Sequence, residues 1–216
     1  MIQKFSTDYL ENRHFTAMSE TAYRTLIQLA RGLSMALKER DPYTRFHSDR
    51  VMNIAVEMGG RLALPSHHLM LLRTAGALHD IGKIGVPDSI LLKNGRLETD
   101  ERSLIITHSQ RGSGIVLSLD HAGTAEVAKT ILHHHENFDG SGYPHGLAGN
   151  KIPLMSRIIT IADNYDAMAT NRVYQKSRTH SQIIDEMLKE VGRKHDPELF
   201  DTFIKMIEKS ENRAAE

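Results

Sequence analysis

The groups with the most chemistry in this chain are imidazoles and carboxylates, and they come in short clusters. His134 and His135 stand side by side, followed by Glu136 and then by the turn-forming run Asp139-Gly140-Ser141-Gly142-Tyr143-Pro144. Upstream, His79-Asp80 forms a second cluster, and Asp163 offers a further carboxylate. Imidazole and carboxylate groups collected from separate segments are the ligand set of a transition-metal site open to substrate. The reaction that such a site suits is hydrolysis of a phosphoester, because a bound divalent cation activates water and stabilises charge on phosphoryl oxygens.

Composition narrows the choice of ligands. The chain has 216 residues, with 27 basic and 27 acidic side chains. That length supports one domain with a sizeable core, and the balanced charge gives no global field toward a nucleic-acid polymer or a membrane. There is no cysteine, so any metal must sit on His, Asp or Glu, and the 13 histidines are many for this length. Met1 to Leu10 lacks the apolar core of a signal peptide, and no apolar run is long enough to span a bilayer. The expectation is a soluble, cytoplasmic protein.

Ligands need elements to hold them, and the periodicity here is helical. From Glu20 to Lys38 the residues Leu26, Ile27, Ala30, Leu33 and Leu37 recur at helical spacing. Asp41-Pro42 ends that run, since proline disfavours helical backbone in the residue before it. A second helix is expected from about Thr44 to Leu62, with Val51, Ile54, Ala55 and Met58 inward, and a third from Ser66 to His79, after the break at Pro65. Two glycines and a proline predict a loop from Ile81 to Pro87. Helical patterns return over Asp100 to Leu119, interrupted at Gly112, over His121 to His134, and over Ile152 to Ala169. Thr179 and Gln182 have the spacing of a capping box, Gly192 fits a C-terminal cap, and Asp196-Pro197 opens a last helix. Alternating β-type runs and internal repeats are absent. The fold class is all-α, with an arm or linker over 1–18, one domain over 19–210 and a tail over 211–216.

On these helices His47 lies near the start of the second, His79 and Asp80 close the third, and His108 sits in the middle of a later segment. His134 and His135 end the next helix, and Asp163 lies within Ile158 to Ala169. Several helices can thus converge ligands on one point, as bundles do when they build cofactor sites.

The strings His79-Asp80-Ile81-Gly82-Lys83-Ile84-Gly85-Val86-Pro87-Asp88 and His134-His135-Glu136 with Asp139 to Pro144 resemble the HD-GYP family of bacterial cyclic-dinucleotide phosphodiesterases, within the HD superfamily. Arg40 to Arg45 before His47, and Ile161 to Met168, match as well, so the resemblance covers about residues 30 to 208. It implies an HD-superfamily helical bundle with a metal site at its centre. One metal takes His47, His79, Asp80 and Asp163; the other takes Asp80, His108, His134 and His135, so that Asp80 bridges. It further implies iron or manganese as the metals, a bridging hydroxide as nucleophile, Lys83 as a catalytic and substrate-binding point charge on a phosphate oxygen, and substrate contacts from Tyr143 and Arg172. The predicted activity is hydrolysis of cyclic di-GMP to linear pGpG, with a second hydrolysis to GMP left open. A diguanylate cyclase docking on the Gly142-Tyr143-Pro144 loop is an implied partner.

Plainer readings stand beside these. Alone, His47 is a surface histidine, and His108 has the weakest local context of the ligands. Glu136 is a helix-end charge or a partner that orients a ligand imidazole; the second is the expectation. Asp139 holds its turn, and Asp166 either faces the site or caps a neighbour. His133 is structural, and His14, His67, His68, His121, His180 and His195 are solvated or packing residues. Arg45 and Lys176 are read as exposed charges. The Leu26 to Leu37 stripe is core, with a homodimer seam as the alternative. Family members with a third metal have glutamate where Tyr43 stands, so two metals per chain are expected. Asn171, Val173 and Gln175 depart from the family pattern around Arg172, which keeps cyclic GMP-AMP open as the substrate. A non-catalytic cyclic-dinucleotide receptor and a mononucleotide hydrolase complete the alternatives.

Overall fold

The computed structural model describes residues 20–41, 44–119, 121–170 and 178–216. Among these the fold is helical: α1 (Glu20–Arg40), α2 (Thr44–Arg61), α3 (Ser66–Leu78), α4 (Asp88–Leu91), α5 (Thr99–Ile105), α6 (His108–Leu117), α7 (Thr124–Leu132), α8 (Leu154–Ala169), α9 (His180–Leu188) and α10 (Pro197–Ile207). Only the isolated bridges Asp139–Ala148 and Val191–His195 have β-type pairing among the described residues. The expected arm over 1–18, with His14, lies outside them, as do Tyr43, Asn171, Arg172, Val173, Gln175 and Lys176.

The expected apolar faces meet in one core. Leu26 of α1, Ile54 and Met58 of α2, Leu72 and Leu78 of α3, Ile131 of α7, Ile158 and Ile159 of α8, and Phe203 of α10 are all fully buried. Each such side chain contributes roughly 1.5–3 kcal/mol relative to exposure. α2 packs on α3 and α8, and α6 packs on α7. The segments that carry ligands are therefore the ones that build the core.

Local structure departs from expectation at instructive points. Ile81–Gly85 is a short 3-10 helix and not an open loop. Lys83 N donates to Asp80 O at 2.9 Å and Val86 N to Lys83 O at 3.0 Å. This turn lies directly on α6, since a Cβ on Gly82 would overlap the His108 carbonyl. Gly112 is likewise no interruption. It sits inside α6, where its own Cβ would come 3.2 Å from Gly82 N.

The Asp100 to Leu119 helix breaks instead at Ile106 and Thr107. Side chains there take the carbonyls that a continuous helix would use. Thr107 Oγ1 donates to Leu104 O at 2.7 Å, His108 Nδ1 to Ile105 O at 2.7 Å and Ser109 Oγ to Ile106 O at 3.3 Å. His108 thus opens a helix and does not lie within one. Likewise α7 ends at Leu132, so His134 and His135 stand in the turn after it.

The C-terminal caps form as expected at two of three places. Thr179 Oγ1 accepts from Gln182 N at 3.4 Å, and Gln182 Oε1 accepts from Thr179 N at 3.1 Å. Asp196 Oδ1 accepts from Glu198 N at 2.9 Å, and its other oxygen pairs with the buried Arg157 of α8. Gly192 does not cap α9, which ends at Leu188, but takes a left-handed φ of 79° in the following turn. Within the expected tail over 211–216, Ala214 N donates to Tyr165 Oη at 2.8 Å, and Ala215 O accepts from His180 N at 2.9 Å.

Gly82→Ala should cost about 1–3 kcal/mol by overpacking. Gly114→Ala on the same helix α6 meets nothing within 4 Å and should stabilise by roughly 0.5–1 kcal/mol. Chemical denaturation of the two variants checks the contrast; equal stability would mean that the turn does not press on α6.

Candidate metal centre

Three histidines reach the centre by the same device. His79 Nδ1 donates to Gly76 O at 2.8 Å, His108 Nδ1 to Ile105 O at 2.7 Å, and His134 Nδ1 to Ile131 O at 2.6 Å. Each acceptor lies three residues back, in the last turn of α3, α5 or α7, where carbonyls lack helical partners. A carbonyl can only accept, so the proton is on Nδ1 and the lone pair is on Nε2. All three rings are buried.

The lone pairs then converge. His108 Nε2 lies 3.4 Å from His134 Nε2 and 3.1 Å from His135 Nε2. Facing lone pairs repel unless a cation lies between them. Ligand nitrogens held about 2.0–2.1 Å from one metal ion stand about 3.0–3.4 Å apart, which is the spacing found. On the other side, ligand atoms of His47, His79 and Asp80 lie within 4.8 Å of one another. Among the described residues His79 Nε2 is buried with no hydrogen-bond partner. Burying such an atom costs free energy unless something fills its lone pair, and a metal does so. The donor set therefore fits a metal centre.

Asp80 joins the two halves. Its Oδ2 lies 3.5 Å from His79 Nε2 and 3.8 Å from His47 Nε2, while Oδ1 lies 3.6 Å from His108 Nε2. Asp163 Oδ1 stands 3.1 Å from His47 Nε2 and 3.9 Å from His79 Nε2. All seven expected ligand residues are thus brought together. Lys83 Nζ, expected at a phosphate, lies 2.7 Å from Asp80 Oδ2.

His47 is oriented differently from the others. Its Nδ1 lies 2.7 Å from Asp166 Oδ2, which decides the open question of Asp166 in favour of the site. Asp166 is itself held by Arg50, through Nε at 2.5 Å and Nη2 at 3.0 Å. Sequence reasoning passed over Arg50. The signal available was its place one turn from His47 on α2, facing α8.

Electrostatics sort the groups. Burial opposes the charge on Asp80, but Lys83 and then His79, His108 and His47 outweigh it and hold the carboxyl well below its usual range. Asp163 is likewise held low against burial, chiefly by the His47 hydrogen bond. Burial pulls His47 down, yet hydrogen bonds to Asp163 and Asp166 lift it to about 9. Burial and then the neighbouring imidazoles push His134 to about 3 and His135 well below its ordinary value. One half of the centre is thus a neutral imidazole cluster and the other is rich in charge.

Glu136 corrects the sequence reading. It is buried, but its carboxylate does not orient a ligand imidazole. Oε1 accepts from His145 N at 2.8 Å and Oε2 from Leu147 N at 3.1 Å, so it braces the glycine-rich loop. Asp139 holds its turn, accepting from Ser141 N at 2.8 Å. Tyr143 lies with its ring 4.9 Å from that of His135, tilted by 34°. His133 points away, with Nδ1 bonded to Lys129 O at 2.9 Å and Nε2 lying 3.1 Å from Nδ1 of His145, a residue that no motif singles out. His180 and His195 are buried packing residues: His180 bonds Tyr165 Oη at 2.8 Å, and His195 stacks on Phe200.

Comparison with known proteins accords with this geometry. A model described as HD domain matches residues 28–199. The chain belongs to the HD domain family. The strings that resemble the HD-GYP family and all seven candidate ligand residues lie within that match. The cyclic di-GMP phosphodiesterase response regulator RpfG of Xanthomonas campestris pv. campestris is 34% identical over 196 residues, covering 91% of this chain and 52% of the relative. A cyclic di-GMP phosphodiesterase of Pseudomonas aeruginosa is 39% identical over 171 residues, covering 79% of this chain and 41% of the relative. The chain thus spans about half the length of these relatives. Among solved structures, a cyclic GMP-AMP specific phosphodiesterase of V. cholerae superposes with a TM-score of 0.62 at 22% identity, over 88% of this chain and 50% of the other, which establishes the shared fold.

Cation binding must displace the proton that His47 holds up to about 9. Metal affinity, followed by chelator competition, should therefore rise with pH and weaken on acidification. Asp166→Asn should lower that affinity about 10–100-fold, since it loosens the partner that orients a ligand imidazole. An unchanged affinity would show that Asp166 does not support the site.

Proposed function

We propose that this HD domain is a metal-dependent phosphodiesterase that opens cyclic di-GMP to linear pGpG, with GMP as a further product. The observation that supports it most is the pair of ligand clusters joined through the two oxygens of Asp80. In this reading His47, His79, Asp80 and Asp163 hold one divalent ion, and Asp80, His108, His134 and His135 hold the other. Imidazole-rich sites suit iron and manganese among other metals, and these two are the proposed occupants. When bound, the ions supply an activated water and electrostatic stabilisation of the phosphoryl oxygens.

The chain's own residues supply the rest. Two carboxylates among the ligands leave a divalent pair with net positive charge, so an anionic diester is drawn in. The Lys83 ammonium, held at Asp80, has further protons for a phosphate oxygen. The Tyr143 ring, beside His135, offers a face to a nucleobase or closes the loop over it. Burial, followed by the charges of Asp163 and Asp80, raises its hydroxyl above the usual range, so it remains a neutral donor. Arg172, from the sequence reading, adds a planar fork for phosphate or guanine.

Cyclic GMP-AMP is the second reading, favoured by the departures at Asn171, Val173 and Gln175 beside Arg172. The Gly142-Tyr143-Pro144 loop is the surface proposed for a diguanylate cyclase partner. Among the described residues no helix is long and apolar enough to cross a membrane, and a cytoplasmic setting is part of the proposal.

Steady-state kinetics with manganese-loaded or iron-loaded protein test the substrate: cyclic di-GMP should be preferred over cyclic GMP-AMP, and the reverse order overturns the assignment. Asp80→Ala should lose metal by elemental analysis and abolish turnover. Tyr143→Ala should raise KM or change substrate choice while metal content stays at the wild-type level. Equal metal loss in both variants would make the loop a structural support.

A further inference from the structure

Beside the centre lies an open cleft of about 470 Å³, within the roughly 300–1,000 Å³ range of small-molecule sites. Among the described residues its walls include Asn137, Asn164, Met168, Arg178, Met187 and Lys194. The chain itself connects it to the ligand set: Asn164 follows Asp163, and Asn137 stands two residues after His135. The backbone ties it further to the glycine-rich loop, with Phe138 N donating to Lys194 O at 3.3 Å and Asp139 N to Arg193 O at 2.8 Å.

The charges lining this cleft are not equivalent. Arg193 pairs with Glu190 at 2.5 Å. Glu186 takes Lys189 at 3.0 Å and lies 4.0 Å from Arg178. Lys194 bonds a neutral partner, the Asn164 Oδ1 amide oxygen at 2.5 Å, whereas Arg178, which bonds the Met168 sulfur at 3.6 Å, also faces the Glu186 carboxylate. Burial lowers its pKa, while the charges of Asp163 and Glu190 act in the opposite sense. Lys83, by contrast, already has the Asp80 carboxylate at 2.7 Å. The cleft therefore presents a half-buried ammonium near Asp163, whose hydrogen-bond partner is an amide oxygen rather than a carboxylate.

A cyclic dinucleotide carries two phosphodiesters. With one at the metal centre, the other still brings a full negative charge to the neighbouring surface. An ammonium on a flexible stem meets a phosphate as a point charge. We propose that Lys194 binds the second, uncleaved phosphate of the cyclic dinucleotide in this cleft. This rests on the phosphodiesterase reading above. It makes Lys194 a substrate-binding residue that favours rings with two phosphates over simple diesters.

Lys194→Gln keeps an amide donor toward Asn164 and removes the charge. In that variant KM for cyclic di-GMP should rise about tenfold, the loss typical of one charge-assisted contact, with kcat unchanged. Hydrolysis of bis(para-nitrophenyl) phosphate, which has a single phosphodiester, should keep its wild-type kcat/KM. Lys194→Arg should recover most of the KM. A wild-type KM in Lys194→Gln overturns the proposal, and so does an equal loss on both substrates, which would mark Lys194 as a support for Asp163. If the wild-type protein binds cyclic di-GMP without cleaving it, the hydrolase reading fails separately. A Kd about tenfold weaker in Lys194→Gln then still supports the cleft, and an unchanged Kd overturns it.

Discussion

The site depends on one repeated hydrogen bond: an imidazole Nδ1–H given to a carbonyl three residues back, in the last turn of the preceding helix. The end of a helix leaves carbonyls without partners. A histidine placed just past that end meets this need and, in the same act, fixes its own tautomer. His79, His108 and His134 all do so. For these three imidazoles, helix termination and the aiming of Nε2 at the candidate centre are thus one event. It follows that these three imidazoles sit at breaks in the helical pattern, where periodicity is weakest, whereas His47 and Asp163 lie within α2 and α8.

The second constraint is buried charge. Asp80 and Asp163 are carboxylates with little exposure, and an uncompensated buried ion costs on the order of several kcal/mol. Lys83, His47 and the chain Arg50–Asp166 supply compensation in the protein itself. That compensation keeps the centre assembled, but it also places a proton on His47 where a cation would bind. Neutral imidazoles on the other side carry no such proton. The two halves therefore differ in how strongly protons compete for them.

Much of this was legible in the sequence. The apolar stripes of α1, α2, α3 and α8 marked the core, and the resemblance of the His and Asp strings to the HD-GYP family implied the candidate ligands that the fold brings together. What was not legible followed from side chains competing with backbone. The break at Ile106 and Thr107 arises from three side-chain hydrogen bonds that no periodicity reveals. Gly112 looked like a helix breaker because glycine is a poor helix former, yet its role is close approach to Gly82. Glu136 was expected at an imidazole. The folded loop brings two backbone N–H groups to it instead, and that depends on where His145 and Leu147 return in space. The final residues had no pattern of their own, so their bonds to Tyr165 and His180 could not be foreseen.

The meeting of Gly82 with α6 has a wider consequence. Main chain rests on main chain there, with no side chain as a spacer. Asp80, two residues before Gly82, and His108, whose carbonyl Gly82 touches, are therefore parts of one rigid block. Their separation is a dimension of the backbone, inherited unchanged however the surrounding side chains drift. Evolution could retune the ligands of either half without altering the gauge between them.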